Sequence, residues 1–363
     1  MANSTLNAAK AAKNDEFYTR LYDIENELRY YKEHFRGKTV LCNCDDPRVS
    51  NFFKYFTLNF EHLGLKRLIT TCYKNQNVDL FSQHDCEQAV YLIYDGDKNG
   101  NNIPDAEEIG IHPLKGDGDF RSKECIELLK QADIVVTNPP FSLFLEYVAQ
   151  LIEFDKKFII IGNKNALNTK EIFPYIQTNK FWVGYTPMNK DLLFDVPKII
   201  EERFIQEGKA GSNYRIIDGK IYGRSPSIWF TNIDINKRHE DIILCKHYNP
   251  DNYIHYENYD AIEVGKVDDI PDDYYGIMGV PISFLDKHNP EQFEIVGSNS
   301  STELCKELGV KPLGQDWVNR YRAAGGTGHN TANMVRIVYN DRNGKPKVAY
   351  SRLFIRRKQQ NKE

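Results

Sequence analysis

The stretch ADIVVTNPPFSLFLEYVAQL, residues 132–151, decides how this chain folds. Asp133 to Thr137 reads as a short buried strand, rich in β-branched residues. From Phe141 onward, Phe141, Leu145, Val148 and Ile152 recur at helical spacing, so an amphipathic helix follows. The junction Asn138-Pro139-Pro140-Phe141 is therefore a turn at the carboxyl end of a strand, the edge where open α/β sheets bind ligands. Strand-like and helix-like segments alternate on both sides of it. KTVLCNC (38–44) and KRLITTCY (66–73) read as strands, with a helix between them opened by Asp46 as cap and Pro47 at its first position. AVYLIYDG and EIGIHPL form a hairpin around a turn-rich loop. SKECIELLKQA is a helix capped by Ser122, KKFIIIGN is a strand, and KEIFPYIQTN is a helix. Such alternation predicts an α/β, doubly wound, mostly parallel sheet.

Beyond about residue 235 the pattern changes. Strands become short, STELCKELG is the only clear helix, and DRNGKPK reads as the turn of a hairpin between MVRIVYN and VAYSRLFIRR. A catalytic domain over 1–235 followed by a smaller α+β recognition domain over 236–363 is the expected organisation.

Composition narrows the function. The chain has 363 residues and a net charge of −4. From Lys311 to the end, however, 12 Lys/Arg face 3 Asp/Glu, a balance of +9, which leaves −13 for the rest. A basic end on an acidic body suits a polyanion partner, although a solvated tail gives the same count. Arg320, Arg322, Arg342, Lys345 and Lys347, in or near turns, are the candidates for phosphate contact. The N-terminus lacks the apolar core of a signal peptide, and no run approaches a membrane span. Seven cysteines without a Cys-x-x-Cys pair point to a reducing cytoplasm.

The Asn-Pro-Pro-Phe turn has its own chemistry. An exocyclic amine on a base is conjugated with its ring and is a poor nucleophile. Accepting hydrogen bonds from both its hydrogens favours a pyramidal nitrogen with an available lone pair. The Asn138 side-chain carbonyl and the Pro139 carbonyl supply two acceptors, and the prolines add no competing N–H. Phe141 can stack on a planar base. The ordinary alternative is a plain strand terminator. DGDKNGNNIPDAEE (95–108) imitates a calcium loop, but Ala106 stands where the bidentate Glu belongs, so it reads as a polar hairpin loop. Nine histidines show no zinc spacing, and no metal is expected. Trp229, in SPSIWFTN, reads as core packing ahead of a role in a base pocket.

Those residues carry a family resemblance. The turn resembles the Asn/Asp-Pro-Pro-aromatic signature of S-adenosylmethionine-dependent amino-methyltransferases. NDEFYTRLYDIENELRYY, VLCNCDDPRVSNFFKYF and LKGDGDFRSKECIELLKQADIVVTNPPFSLF resemble the EcoRI-type adenine-specific DNA methyltransferases, over roughly residues 14–165 and more loosely in the C-terminal third. The resemblance implies a Rossmann-like core that binds S-adenosylmethionine and methylates adenine N6 in double-stranded DNA after flipping the base. It implies that Tyr18 and Thr19 contact the methionine end of the cofactor, and that Asn43, Asp45 and Pro47 follow the first strand beside it. It also implies that Asp119 and Phe120 hold the cofactor adenine, while Asn138, Pro139, Pro140 and Phe141 hold the target. A monomer acting beside a cognate restriction endonuclease, with a GAATTC-like site, is a further implication. The sequence departs from the family pattern twice. CNCDDPRVSN has no glycine after the first strand, and TTCYKNQN has no acidic residue for the ribose. N4-cytosine, RNA-adenine and protein-glutamine methyltransferases share the acceptor turn, and an inactive DNA-binding regulator is the alternative from another class.

Overall fold

The computed structural model describes residues 18–44, 50–72, 89–101, 104–105, 108–196, 198–208, 211 and 214–359. The chain divides into two compact units, residues 1–164 with 183–233, and residues 165–182 with 234–363. The segment 165–182, read from sequence as part of the first domain, thus groups with the second.

The first unit is built on an eight-stranded sheet. In chain order its strands are β1 (Thr39–Cys42), β2 (Arg67–Thr71), β3 (Val90–Tyr94), β4 (Ile109–Pro113), β5 (Ile134–Thr137), β6 (Lys157–Asn163), β7 (Trp182–Val183) and β8 (Ser227–Thr231). In space they run β4-β3-β2-β1-β5-β6-β8-β7. The four central strands β2, β1, β5 and β6 are parallel. The flanks are antiparallel, through β3 on β2, β4 on β3 and β8 on β6. The fold is a Rossmann-like α/β core whose sheet is mixed, with the expected parallel part at its centre. The parallel strands carry continuous apolar runs because helices cover both faces of such a sheet, and every residue of β1 and β5 is buried.

Helices supply the covering layers. The helix α1 (Asn51–Leu58) starts at Ser50, whose hydroxyl accepts from the N–H groups of Phe52 at 3.2 Å and Phe53 at 3.4 Å. The cap expected at Asp46 is therefore replaced by Ser50, an equally good capping residue; Asp45, Asp46 and Pro47 lie outside the described residues. The helix α2 (Lys123–Gln131) is capped by Ser122, as the sequence predicts. After β5 comes a single 3-10 turn, Phe141–Leu143, and then α3 (Phe144–Glu153). The buried face of α3 is Phe144, Tyr147, Val148 and Leu151, while Leu145 is exposed. The segment is apolar nearly all round, so two faces fit a helical period, and packing selected the one the spacing from Phe141 did not.

A second, four-stranded antiparallel sheet in this unit orders Tyr18–Thr19, Leu192–Asp195, Lys220–Ser225 and Tyr214–Ile217. Its edge strand Tyr18–Thr19 leads into helix Leu21–Leu28. There the Glu27 carboxylate, wholly buried, accepts from Tyr31 Oη at 2.8 Å, Tyr185 N at 2.6 Å, and Thr186 N and Oγ1 at 2.7 and 2.6 Å. A buried carboxyl group is tolerated because its oxygens are met by donors in this way.

The second unit is α+β. Its five-stranded sheet orders Ile254–His255, Ile262–Glu263, Ile277–Val280, Leu353–Arg357 and Phe293–Ser298. The expected C-terminal hairpin forms between Val338–Asn340 and Pro346–Val348. The chain then leaves it, and Leu353–Arg357 joins the larger sheet instead. A helix the sequence reading passed over, Gln315–Ala323, packs Trp317 and Val318 against Leu313 and Val338. No helix among the described residues is long and apolar enough to cross a membrane.

Candidate active site

The sheet order places the site. From β1 the chain moves one way to β2 and later returns to the other side as β5, so the direction of winding reverses between β1 and β5. A crevice opens outside the carboxyl ends of strands at such a point. Asn43 follows β1 and Asn138 follows β5. The two loops are tied together, since Thr137 Oγ1 donates to the Asn43 carbonyl oxygen. From α3, Tyr147 Oη donates to Asn43 Oδ1. Burial pushes the Tyr147 phenol well above its ordinary pKa, so it stays a donor.

Asn138 is 8 % exposed, Pro139 is buried, and Pro140 and Phe141 are half-buried. The acceptor thus sits at the base of the turn and the aromatic nearer its rim. Beneath them, Phe144 seats its ring on Gly162 of β6, where a Cβ would come within 2.3 Å of the ring. That glycine lets α3 approach the sheet and fixes the end of the helix bearing the turn.

The Asp119-Phe120 loop reaches the same neighbourhood. The ring of Phe120 meets Tyr147 edge-on at 5.0 Å, and its carbonyl accepts from Gln150 Nε2 at 3.1 Å. Asp119 is gripped by Arg121, whose N–H, Nε and Nη2 donate to it at 2.8, 2.9 and 2.6 Å. The guanidinium, also bonded to Glu146 at 2.8 Å, holds the Asp119 carboxyl below the usual carboxylate range. Neither Tyr147 nor Arg121 was singled out from sequence. Arg121 adjoins Asp119 and was readable as its counter-ion, whereas Tyr147 lies 104 residues from Asn43 and gave no local signal.

Thr19 stands in the edge strand of the smaller sheet, 1 % exposed, with its carbonyl bonded to Asn51 Nδ2 at 2.8 Å. Among the described residues its buried Oγ1 has no hydrogen-bond partner. A buried hydroxyl of this kind is one that a ligand atom or water can satisfy. Asn43, Asp119, Phe120 and the 138–141 turn are therefore drawn together by side-chain contacts and strand position, while Thr19 is linked through Asn51 of α1. Of the cation candidates, Arg320 and Arg322 lie on helix Gln315–Ala323 rather than in turns. Arg342 and Lys345 do occupy the hairpin turn, and Lys347 lies in strand Pro346–Val348. Arg320 is already paired with Glu257 at 2.5 Å, and Arg322 bonds the Gly326 carbonyl at 3.2 Å.

The family model described as adenine-specific methyltransferase EcoRI matches residues 5–358. The chain belongs to that family. It is 49 % identical over 296 residues to the type II methyltransferase M.EcoRI of Escherichia coli, covering 81 % of this chain and 89 % of the relative. The type II methyltransferase M.MgeORF184P of Mycoplasma genitalium is 42 % identical over 295 residues, 80 % of this chain and 84 % of its own. M.MpnI of Mycoplasma pneumoniae is 39 % identical over 293 residues, with the same two shares. No solved structure matches the chain. This member of the EcoRI family is thus a methyltransferase enzyme of the adenine-specific DNA type.

Proposed function

We propose that this enzyme transfers a methyl group from S-adenosylmethionine to N6 of an adenine rotated out of duplex DNA. The observation that carries the reading is the acceptor turn 138–141, held at the reversal point of the sheet and braced by Thr137, Asn43 and Tyr147. When bound, S-adenosylmethionine supplies an electrophilic methyl on a sulfonium centre. The residues present fit it. Thr19 offers an unsatisfied buried hydroxyl to the methionine end, Asp119 keeps a negative charge for the adenine amine, and Phe120 presents an apolar wall.

The target amine is unreachable inside a duplex, so flipping precedes chemistry and costs a few kcal/mol of stacking and pairing. Asn138 Oδ1 and the Pro139 carbonyl would accept the two amine hydrogens while Phe141, at the half-buried rim, stacks on the base. No general base is needed before transfer, because the nitrogen becomes acidic only afterwards and water can take the proton. Positioning then supplies most of the acceleration. A restriction-modification setting, a GAATTC-like site and action as a monomer complete the reading. They are supported by the 49 % identity to M.EcoRI.

The test is Asn138→Ala, assayed with labelled cofactor and a plasmid, followed by nucleoside analysis. The variant should bind S-adenosylmethionine normally by calorimetry and lose methyl transfer on the order of 10²- to 10³-fold, the scale of removing one polar contact to a reacting group. A wild-type rate in that variant, or a methylated cytosine in the digest, defeats the assignment.

A further inference from the structure

The small sheet that carries Thr19 also arranges cations and tyrosines in alternation. Lys190 Nζ lies 5.5 Å from the centre of the Tyr22 ring, and the Arg20 guanidinium 5.8 Å from the same ring. Arg20 lies 5.0 Å from the Tyr222 ring, whose other neighbour is Lys220 Nζ at 4.9 Å. The row Lys190, Tyr22, Arg20, Tyr222, Lys220 is assembled from three separate stretches of chain. Tyr22 is 59 % exposed, and Lys190 and Lys220 are exposed as well. Carboxylates temper the charge without cancelling it. Asp23 pairs with Arg20, Asp195 with Lys220, and Asp191 takes both Arg215 and Arg224. Glu201 also acts on Lys220, so among the described residues five cations face four acids, on a body that is acidic overall.

Each ring is flanked by two cations, so the rings serve to hold charges in place more than to stack on bases. A cation fixed in advance loses less side-chain freedom when it meets an anion. An extended row of such charges suits a polyanion with a repeating spacing, and a sugar-phosphate backbone is one. We propose that this face of the first unit is a second phosphate-contact surface for duplex DNA, apart from the C-terminal cations. The inference rests on the reading of DNA as substrate and adds to it a surface and a set of residues.

The test uses the full chain as Lys190→Ala/Lys220→Ala, Tyr22→Ala and Tyr22→Phe, with duplex affinity followed by fluorescence anisotropy across a salt series. The double variant should bind on the order of ten-fold more weakly and lose about 1.8 from the slope of log affinity against log salt, at ~0.9 per phosphate contact. Tyr22→Phe should match the wild type, because the ring and not the hydroxyl positions the cations, and Tyr22→Ala should be weakened. An unchanged slope and affinity in the double variant overturns the surface, as does a Tyr22→Phe defect equal to that of Tyr22→Ala. Methyl transfer by the wild type in the same preparations reports on the DNA reading separately. Activity with an unchanged slope removes only this surface, while a wild type that neither binds nor methylates duplex removes both.

Discussion

At Cys44 the backbone turns with φ at +79°, the left-handed region that favours glycine. The loop after β1 thus takes a glycine-like bend although CNCDDPRVSN contains none. A side chain there costs ~1–2 kcal/mol of backbone strain, against the ~0.4–1 kcal/mol that a glycine adds to the entropy of the unfolded chain. Cys44→Gly should therefore stabilise the protein by roughly 0.5–1 kcal/mol in urea melts. A destabilised variant would mean that the thiol contributes more than its strain costs. The turn at 138–141 was legible as a strand-to-helix junction because its residues are adjacent and follow a buried β-branched run. Asn43 was legible by place alone, since its partners Thr137 and Tyr147 arrive from distant parts of the chain.

Among elements, the contact between α3 and β6 is the tightest support of the acceptor turn. Gly162→Ala would place a methyl 2.3 Å from the Phe144 ring, which is buried and cannot swing clear. Overpacking of this kind costs ~1–3 kcal/mol, so the variant should melt earlier and transfer methyl more slowly, with a larger loss in kcat than in cofactor affinity. Wild-type kcat in a destabilised Gly162→Ala would show that α3 does not set the turn. In the second unit, burial lowers the His288 imidazole to about 4, from an ordinary value of 6.5. A neutral histidine in the folded state and a protonatable one in the unfolded chain give stability that is complete above pH 6.5. That stability is lost as pH falls through the folded value, by roughly 3 kcal/mol in all. Urea melts between pH 7 and pH 4 should show this loss, and His288→Gln should flatten it. Helix existence was readable where caps and periodicity agree, as at Ser122, and failed at Gln315–Ala323. There a Gly-Gln-Asp opening with Trp317 and Val318 as its only buried side chains gives almost no apolar period.

For the molecule as a whole, the charge split of +9 against −13 predicts strong salt dependence of DNA binding. Removing Arg342, Lys345 and Lys347 together should lower the salt slope by about 2.7 while leaving calorimetric S-adenosylmethionine binding intact. An unchanged slope would assign those side chains to solvent. The parallel centre of the sheet followed from alternating strands and helices, and its antiparallel flanks did not, because a β-branched run looks the same in either direction.

Residues 165–182 are stitched into the C-terminal unit: Gln177 bonds the Val296 carbonyl at 2.8 Å, and Arg238 bonds Asn179 at 3.0 Å while stacking on Trp182 at 3.6 Å. The chain therefore enters that unit twice. A graft that exchanges this unit between relatives must carry an internal excursion as well as the tail, so gene shuffling at a single crossover would deliver a mismatched half. Side-chain drift inside the intact unit avoids that mismatch, whereas exchange of the unit as a ready-made module does not.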